Sequence, residues 1–380
     1  MRLPKWLRLS SLGLGTCLLW LAILISVTRT GIGGDWLAYY SAGYAVVTHN
    51  VANLYDLSLL QQWLGPYMPE HAMPFVYVNL PAFIPLFTPL GLLPILGARL
   101  VWLAVTALCA YASARISCRL TGLPLLDTLF ALAAFFPLTI SLYDGQISTI
   151  LLLLFTLLAL RERQHRSGYA DGFLAGGLLL KPQFLPSLGL YWLYRRRWRS
   201  LAALVALTLV VLVACFLVSV PLARVYFSAL SPVLLSRAGG IARGYHATIS
   251  GLGGPVLGIV AALVAFALLY LVWRRPATPY SEAMLWLSPL IVSPYSGPYD
   301  LLLAAVPVAC LAPVLPGDRV LQVAVAIVWL TPLGYFAGIG PTPAVAAIVL
   351  LFAICAVRAL SAAYAPTLSS ALPTGSPSER

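Results

Sequence analysis

Long apolar stretches recur along the chain from Ser10 to Leu360, and no segment between them is as long as a soluble domain. Each crossing of a bilayer by a helix needs roughly 20 mostly apolar residues. The composition agrees, because 61% of the residues are hydrophobic and only 9% are charged, unlike a soluble domain. We therefore predict an all-α polytopic membrane protein with one integral domain at residues 1–365. The tail at 366–380, rich in Pro, Ser, Thr and Ala, is predicted to be disordered and cytoplasmic.

Clusters of arginine orient the predicted spans, because cytoplasmic loops are enriched in Lys and Arg. The same clusters account for the net charge of +12 by contact with membrane lipids, so no nucleic-acid partner is expected. Threading the chain between them gives about twelve transmembrane helices, with both termini inside and residues 78–96 in the outer interface. The clusters are Arg2/Lys5/Arg8, Arg115/Arg119, Arg161/Arg163/Arg166, Arg195 to Arg199 and Arg274/Arg275. The spans are predicted near 10–28, 100–113, 123–142, 147–160, 169–181, 182–194, 201–220, 252–273, 281–293, 299–315, 320–336 and 342–360.

Lys181 stands in the apolar stretch "LAGGLLLKPQFLP", and the only other lysine of the chain is Lys5. A cation near the bilayer centre costs at least about 2.5 kcal/mol, so a functional role is the default hypothesis. Two short spans must fit between Arg166 and Arg195, which places Lys181 at their turn, facing an outward cavity. The alternative is a lysine that snorkels or caps a helix end, and the residue pattern leaves it open.

Three arginines in the loop after the seventh predicted span, Arg224, Arg237 and Arg243, are expected outside, against the usual charge bias. Their position suggests an anionic ligand, and snorkelling to lipid headgroups is again the alternative.

The largest outer loop, residues 29–77, contains Asp35 followed by Trp36, Tyr39, Tyr40 and Tyr44 at roughly helical spacing. This pattern predicts an amphipathic helix on the membrane, with its tyrosines at the level of the headgroups. Asp35 opens that helix, and the pattern alone favours an N-cap, because Asp is a preferred capping residue. A second carboxylate, Asp56, is predicted to start another helix of the loop.

Several separated motifs resemble glycosyltransferase family 87, a group of GT-C membrane enzymes. They are "GGDWLAYYSAGYAVV" with "NLYD" downstream, "YVNLPAFIPLFTPLGLLP", "DGQISTILLLLFTLLAL", "AGGLLLKPQFLPSLGLYWLYRRRWRS" and "VSPYSGPYDLLL". In order they extend from residue 34 to about residue 303. Asn79-Leu80-Pro81 departs from the family pattern, which has paired prolines at that point.

The resemblance implies a GT-C fold and transfer of a sugar, with mannose expected, from a polyprenyl-phosphate donor to a lipid or glycan acceptor. The reaction would take place at the periplasmic or extracellular face of the inner (plasma) membrane. The family's general base maps onto Asp35, and one base with direct displacement implies inversion. Lys181 is expected at the donor phosphate together with some of the outer arginines, which are Arg224, Arg237 and Arg243. No Asp-x-Asp motif occurs, so neither a metal nor another cofactor is expected.

The other candidate residues are less specific. Gln146 and Asp144 lie at the outer end of a span, where an amide binds sugar hydroxyls or makes an interhelical hydrogen bond, and both interpretations stay open. His246 is predicted to contact substrate and so is Tyr39, whereas Asp300 reads as a helix cap. The rival function is a transporter or flippase of a lipid-linked sugar, which would use a similar number of spans and cations inside the membrane.

Overall fold

The protein is described from a computed structural model, which covers residues 34–68, 76–166, 168–230, 247–336 and 338–361, and the isolated Gly15. Every regular element in these ranges is helical. The longer α-helices are α1 (Trp36–Val47), α2 (Leu57–Leu64), α3 (Ile95–Thr121), α4 (Leu125–Ala133), α5 (Phe136–Asp144), α6 (Ser148–Arg163), α7 (Tyr169–Gly176), α8 (Pro186–Tyr194), α9 (Trp198–Val218), α10 (Ile249–Trp273), α11 (Pro279–Val292), α12 (Ala305–Leu311), α13 (Arg319–Leu330) and α14 (Thr342–Ser361). Short α-helical turns lie at Thr88–Gly91, Val220–Val225 and Leu333–Phe336, and a π-helical turn at Tyr226–Leu230. The 3₁₀ helices are Val51–Asn53, Gly65–Tyr67, Pro81–Phe87, Gly177–Leu180, Pro182–Phe184, Pro298–Ala304 and Leu315–Gly317.

Four of the described helices, α3, α9, α10 and α14, are long and apolar enough to cross a membrane. The bent pair α4 and α5, which meet at 70°, makes a fifth if it is one span. The predicted twelve crossings are therefore not confirmed: within the part of the chain that the structure describes, the other predicted spans correspond to shorter or broken helices. The predicted first span at 10–28 and the tail at 366–380 lie outside the described residues.

The helices enclose one continuous hydrophobic core that extends from Trp36 to Ala359. On one side α3 packs along α6, and α7 packs along α9. On the other side α11 packs against α10, α12 and α14. The 3₁₀ helix Pro298–Ala304 lies against α5 and α6, and this contact brings the two sides together where the candidate site lies.

The chain breaks at Lys181, as the sequence predicts. Two 3₁₀ turns, Gly177–Leu180 and Pro182–Phe184, flank the residue. Its own backbone is non-helical, at φ −137° and ψ 79°, because the following proline disfavours the helical conformation for the residue before it. The break holds Lys181 between two short helical segments instead of inside a continuous helix.

The prediction for the first helix of the outer loop is wrong. Trp36, Tyr39 and Tyr40 are buried in protein, so they do not lie at the headgroups. Tyr39 stacks on Phe87 with ring centroids 5.0 Å apart and also contacts Trp102. The second helix of the loop, α2, is amphipathic: Leu60 and Leu64 are buried and its other side is exposed.

Asp56 caps α2, as the sequence predicts, because its side chain accepts hydrogen bonds from the backbone N–H groups of Ser58 and Leu59.

Two glycines explain how α1 becomes buried. A Cβ atom on Gly43 would lie 2.0 Å from the carbonyl oxygen of Phe87, and one on Gly91 would lie 2.3 Å from the carbonyl carbon of Gly43. The backbones of α1 and of the segment at 81–91 therefore cross at a distance that only residues without side chains allow.

Ion pairs gather at the far end of α6. They join Arg161 to Asp171, Arg163 to Glu282 (2.8 Å) and Arg197 to Glu162 (2.6 Å). The 16 residues of α6 span about 24 Å at a rise of 1.5 Å per residue. Gln146 and Ser148 stand at the start of α6, so the candidate site and the ionic layer lie at opposite ends of this helix.

Candidate functional site

The site begins with the turn that joins α5 to α6. Gly145 has a left-handed backbone at φ 65°, the conformation that commonly ends a helix. Trp102 of α3 donates its indole N–H to the carbonyl of Gly145 at 2.6 Å. Arg99, one turn earlier in α3, donates to the carbonyls of Leu142 and Tyr143, and its guanidinium lies 5.3 Å from the ring centroid of Trp36. These contacts position the next residue, Gln146.

Asp35 lies directly against this turn. The backbone of Gly34 approaches that of Asp144 so closely that a Cβ atom on Gly34 would lie 3.0 Å from the Asp144 carbonyl oxygen. The carboxylate of Asp35 accepts a hydrogen bond from the side-chain amide of Gln146. It makes no capping hydrogen bond to α1, and its backbone is already helical. The capping role favoured by the residue pattern is therefore wrong for this side chain.

Tyr39, which follows Asp35 by one helical turn, also contacts Gln146. Its hydroxyl donates to the side-chain oxygen of Gln146 at 3.4 Å. Gln146 is buried, with 3% of its surface exposed, and is thus held by Asp35 on one side and Tyr39 on the other. The structure shows the interhelical hydrogen bond that the sequence left as one of two interpretations for Gln146.

The protonation of Asp35 is set by competing effects. Desolvation by the surrounding protein raises the pKa of its carboxyl from the usual 3.8 to about 6, because a buried carboxylate is poorly solvated. The positive charge of Lys181 and a hydrogen bond with Tyr299 lower the pKa, and the negative charge of Asp300 raises it. Lys181 thus lies close enough to act electrostatically on Asp35, although the two belong to distant parts of the chain.

Lys181 is 7% exposed and is paired. Its ammonium nitrogen lies 2.7 Å from Oδ1 of Asp300 and 4.6 Å from the ring centroid of Tyr299, a distance at which the ring face attracts a cation. Lys181 therefore neither snorkels outward nor caps a helix with its side chain. It is one half of a buried ion pair.

Lys181 also lines a cavity of about 370 Å³. Asn79, Gln183, Tyr226 and Tyr295 contribute polar side chains to its wall. Several proline and aliphatic side chains complete the lining, namely Val78, Leu180, Pro182, Pro186, Val292 and Pro294. The cavity is mostly apolar and has a few convergent polar groups, which is the usual form of a ligand site.

Asp300 has a larger part in the site than the sequence predicts. It does cap its 3₁₀ helix, because Oδ2 accepts the backbone N–H of Gly297 at 3.0 Å. In addition Oδ1 accepts the hydroxyl of Ser148 at 2.6 Å and the ammonium of Lys181. The sequence signal for this second role is the single Asp in "SPYSGPYDLLL", followed by apolar residues only. Arg99 is not among the residues predicted from the sequence either, although it is an isolated charge in the apolar stretch "LGARLVWL".

Of the predicted arginines of the loop after the seventh span and His246, the structure describes only Arg224. Arg224 is exposed and lies two residues before Tyr226 of the cavity wall. Arg237, Arg243 and His246 lie outside the described residues. Among the described residues, no group of three or more His, Cys, Asp or Glu side chains is placed to hold a metal ion.

Comparison with known families identifies a match. The profile of glycosyltransferase family 87 matches residues 77–294, which is more than half of the chain. Lys181, Gln146 and Arg224 lie inside the matched region, whereas Asp35, Tyr39 and Asp300 lie outside it. Neither a curated protein nor a solved structure matches the chain.

We predict that Gly145→Ala destabilises the protein more than Gly122→Ala does. Both glycines have a left-handed backbone, at φ 65° and 70°, so both variants carry the strain of a Cβ atom in that conformation. At residue 145 the new Cβ would also lie 2.5 Å from Cβ of Trp36, whereas nothing lies within 4 Å at residue 122. Thermal unfolding of the detergent-solubilised variants measures the difference. Equal falls in Tm would contradict the close packing of this turn.

Proposed function

Because the chain belongs to glycosyltransferase family 87, we propose that it transfers a sugar, with mannose the first candidate, from a polyprenyl-phosphate donor. The acceptor is a lipid or a glycan, and the configuration at the anomeric carbon is inverted. Family membership and the apolar helices make the chain a membrane glycosyltransferase. The donor, the sugar and the stereochemistry are our proposal.

One observation carries this proposal. The fold brings a carboxylate with a raised pKa, Asp35, into the electrostatic range of a buried ammonium, Lys181, which lines a cavity. Transfer from a lipid-linked sugar phosphate needs these two kinds of group. A base must take a proton from the attacking hydroxyl, and a cation must stabilise the phosphate that leaves.

We assign the base to Asp35. The acceptor hydroxyl oxygen forms a bond to the anomeric carbon, and its proton passes to the Asp35 carboxylate. The bond between the anomeric carbon and the phosphate oxygen breaks, and its electron pair leaves with the polyprenyl phosphate. This leaving group is stabilised as an anion, so no second carboxylic acid is needed to protonate it. A single displacement inverts the anomeric carbon, unlike the double displacement of two-carboxylate retaining glycosidases.

We assign the donor phosphate to the cavity beside Lys181, whose ammonium neutralises charge as the phosphate leaves. Arg224, Arg237 and Arg243 are proposed to add positive charge where the phosphate enters. Gln146 is proposed to orient the Asp35 carboxylate, supported by their hydrogen bond. Tyr39 supports Gln146 from behind, and His246 is proposed to contact substrate.

We also propose that the site faces the periplasmic or extracellular side of the inner membrane. The support is the distribution of arginines along α6, where the ion pairs of Arg161 and Arg163 lie at the end away from Gln146. Arginine-rich ends of spans face the cytoplasm, which leaves the opposite end for the site.

We expect Asp35→Asn to abolish transfer while the protein still folds and binds donor. Asparagine keeps an oxygen that can accept the hydrogen bond from Gln146 but cannot take the proton. Loss of a positioned general base lowers the rate by about a hundredfold to ten-thousandfold. The measurement is sugar transfer from a synthetic polyprenyl-phosphate donor, normalised to folded protein by size-exclusion chromatography.

Asp56→Asn is the matched control for this variant. Asp56 lies in the same loop and caps α2, and asparagine is an equally good cap. Transfer by the control should stay within about twofold of wild type. Transfer by Asp35→Asn within a few-fold of wild type would remove Asp35 from the mechanism.

The rate of transfer should fall as the pH is lowered through about 6. Only the ionised carboxylate accepts a proton, and the pKa of Asp35 is raised to about 6. Below that pH, kcat/KM should therefore decrease about tenfold per pH unit, and it should be level above pH 7. A kcat/KM that is unchanged from pH 7.5 to pH 5 would be inconsistent with Asp35 as the base.

Labelling of single cysteines in intact cells tests the orientation, on a background without the native cysteines. Cysteine at Ser58, which is exposed in the outer loop, should react with a membrane-impermeant maleimide. Cysteine at Arg199, which is exposed next to the start of α9, should react only after lysis. Labelling at residue 199 in intact cells would reverse the proposed orientation.

A further inference from the structure

Asp300 receives more hydrogen bonds than its capping role requires. Oδ2 accepts from the backbone N–H of Gly297 and, at 3.4 Å, from the hydroxyl of Ser296. Oδ1 accepts from the hydroxyl of Ser148 and from the ammonium of Lys181. The residue is fully buried. Two of these donors come from its own turn, but Ser148 and Lys181 come from elements more than 100 residues away.

This arrangement fixes the position of Asp300 independently of Lys181. The hydrogen bonds to Gly297, Ser296 and Ser148 satisfy lone pairs on both carboxylate oxygens, so the carboxylate stays in place whatever the lysine does. Lys181, in contrast, is a flexible side chain with three rotatable N–H donors. Its ammonium contacts the carboxylate of Asp300 and the ring face of Tyr299. The carboxylate of Asp300 therefore determines where the ammonium of Lys181 lies.

We propose that Asp300 is a positioning residue, which holds the ammonium of Lys181 at the cavity wall so that its remaining N–H groups face the donor phosphate. Ser148 assists by holding Oδ1 of Asp300. This inference rests on the proposed function, because it assumes that Lys181 binds the donor phosphate. A lysine already fixed in place loses little rotamer freedom when the phosphate binds, so the contact stabilises the complex more than one with a mobile lysine.

A second consequence concerns the two carboxylates of the site. Asp300 is paired with the ammonium of Lys181, and both of its carboxylate oxygens accept hydrogen bonds from other donors. Asp35 is held by the neutral amide of Gln146, and desolvation raises its pKa. The two residues of the same type are thus directed to different tasks by their partners.

The test is the variant Asp300→Asn, which keeps an acceptor for the N–H of Gly297 but loses the charge that holds Lys181. We expect KM for the polyprenyl-phosphate sugar to rise at least tenfold. The KM for the acceptor should stay within about threefold of wild type. A residue with only a structural role would instead reduce the amount of folded protein without separating the two KM values.

Asp318→Asn is the matched control. Asp318 also caps a helix, by accepting from the N–H of Leu321, and also pairs with a cation, Arg358, at 2.8 Å. It does not contact the residues of the site described above. The control should leave both KM values unchanged within about twofold.

A double-mutant cycle shows whether Asp300 acts through Lys181. Lys181→Ala and Lys181→Ala/Asp300→Asn should have the same raised KM for the donor. The double variant should also have a higher Tm than Lys181→Ala, because the single variant leaves a buried carboxylate without its cation. If Asp300→Asn raises the donor KM by the same factor with and without Lys181, Asp300 acts independently and the proposal is overturned.

A binding assay with farnesyl phosphate, an isoprenyl phosphate that carries no sugar, makes the test independent of transfer. Wild type and Asp318→Asn should bind it equally, and Asp300→Asn at least tenfold more weakly. If Asp300→Asn does not fold, Ser148→Ala replaces it and should weaken binding about threefold or more. Unchanged binding by the variant that folds would overturn the proposal.

The outcomes also separate this inference from the proposed function. Wild type that binds farnesyl phosphate through Asp300 and Lys181 but transfers no sugar would overturn the proposed function alone. Wild type that transfers sugar, with a donor KM unaffected by Asp300→Asn, would overturn the positioning role alone. Wild type that neither binds farnesyl phosphate nor uses a polyprenyl-phosphate sugar would overturn both.

Discussion

The ion pair between Lys181 and Asp300 is the contact on which the site depends. A charge buried away from water is costly unless it is paired and hydrogen-bonded. The backbone on both sides supports the pairing: the chain breaks at Lys181, where Pro182 follows, and the turn before Asp300 supplies the N–H of Gly297. Ser148, at the start of α6, completes the contact. Three segments that are distant in sequence therefore meet at one point, and the cavity wall forms beside it.

Asp35 is held in place by a different kind of partner. Its position depends on a backbone contact, Gly34 against Asp144, and on the neutral amide of Gln146. Gln146 depends in turn on the turn at Gly145, whose carbonyl accepts the indole N–H of Trp102. Desolvation raises the pKa of the Asp35 carboxyl to about 6, and the charge of Lys181 offsets this only in part; a pKa in this range suits the general base proposed for the transfer. The carboxylate of Asp35 thus has a neutral hydrogen-bond partner, whereas that of Asp300 is paired with a cation.

Local patterns allowed much of the fold to be predicted. The helix break at Lys181 follows from the proline after it, and the cap at Asp56 follows from residue preferences at helix starts. The burial of α1 could not be predicted in this way, because aromatic residues at helical spacing occur both on membrane surfaces and in protein cores. The deciding factor is the contact between Gly43 and the segment at 81–91, which joins residues about 45 positions apart.

The same limit applies to the candidate site. A capping interpretation of Asp35 uses only its neighbours in sequence, whereas its actual partner, Gln146, is 111 residues away. For Asp300 the predicted cap is confirmed, but it does not include the other partners of the carboxylate, which are 119 and 152 residues distant. Arg99 contacts carbonyl groups 43 and 44 residues later. Residue preferences describe local contacts, so they identify which side chains are unusual but not which of them meet.

The opposite end of the bundle bears on the choice between a transferase and a transporter. Arg163 donates to Glu282 of α11, to the carbonyl of Leu120 in α3 and to the carbonyl of Cys310 in α12. One guanidinium thus joins α6 to three other helices, about 24 Å along α6 from the site. A transporter must open the two ends of the bundle alternately. Opening this end would break several charge-assisted hydrogen bonds at once. A transferase takes donor and acceptor from one side and can keep this end closed through every turnover. The closed end therefore favours a reaction that proceeds at one face of the membrane.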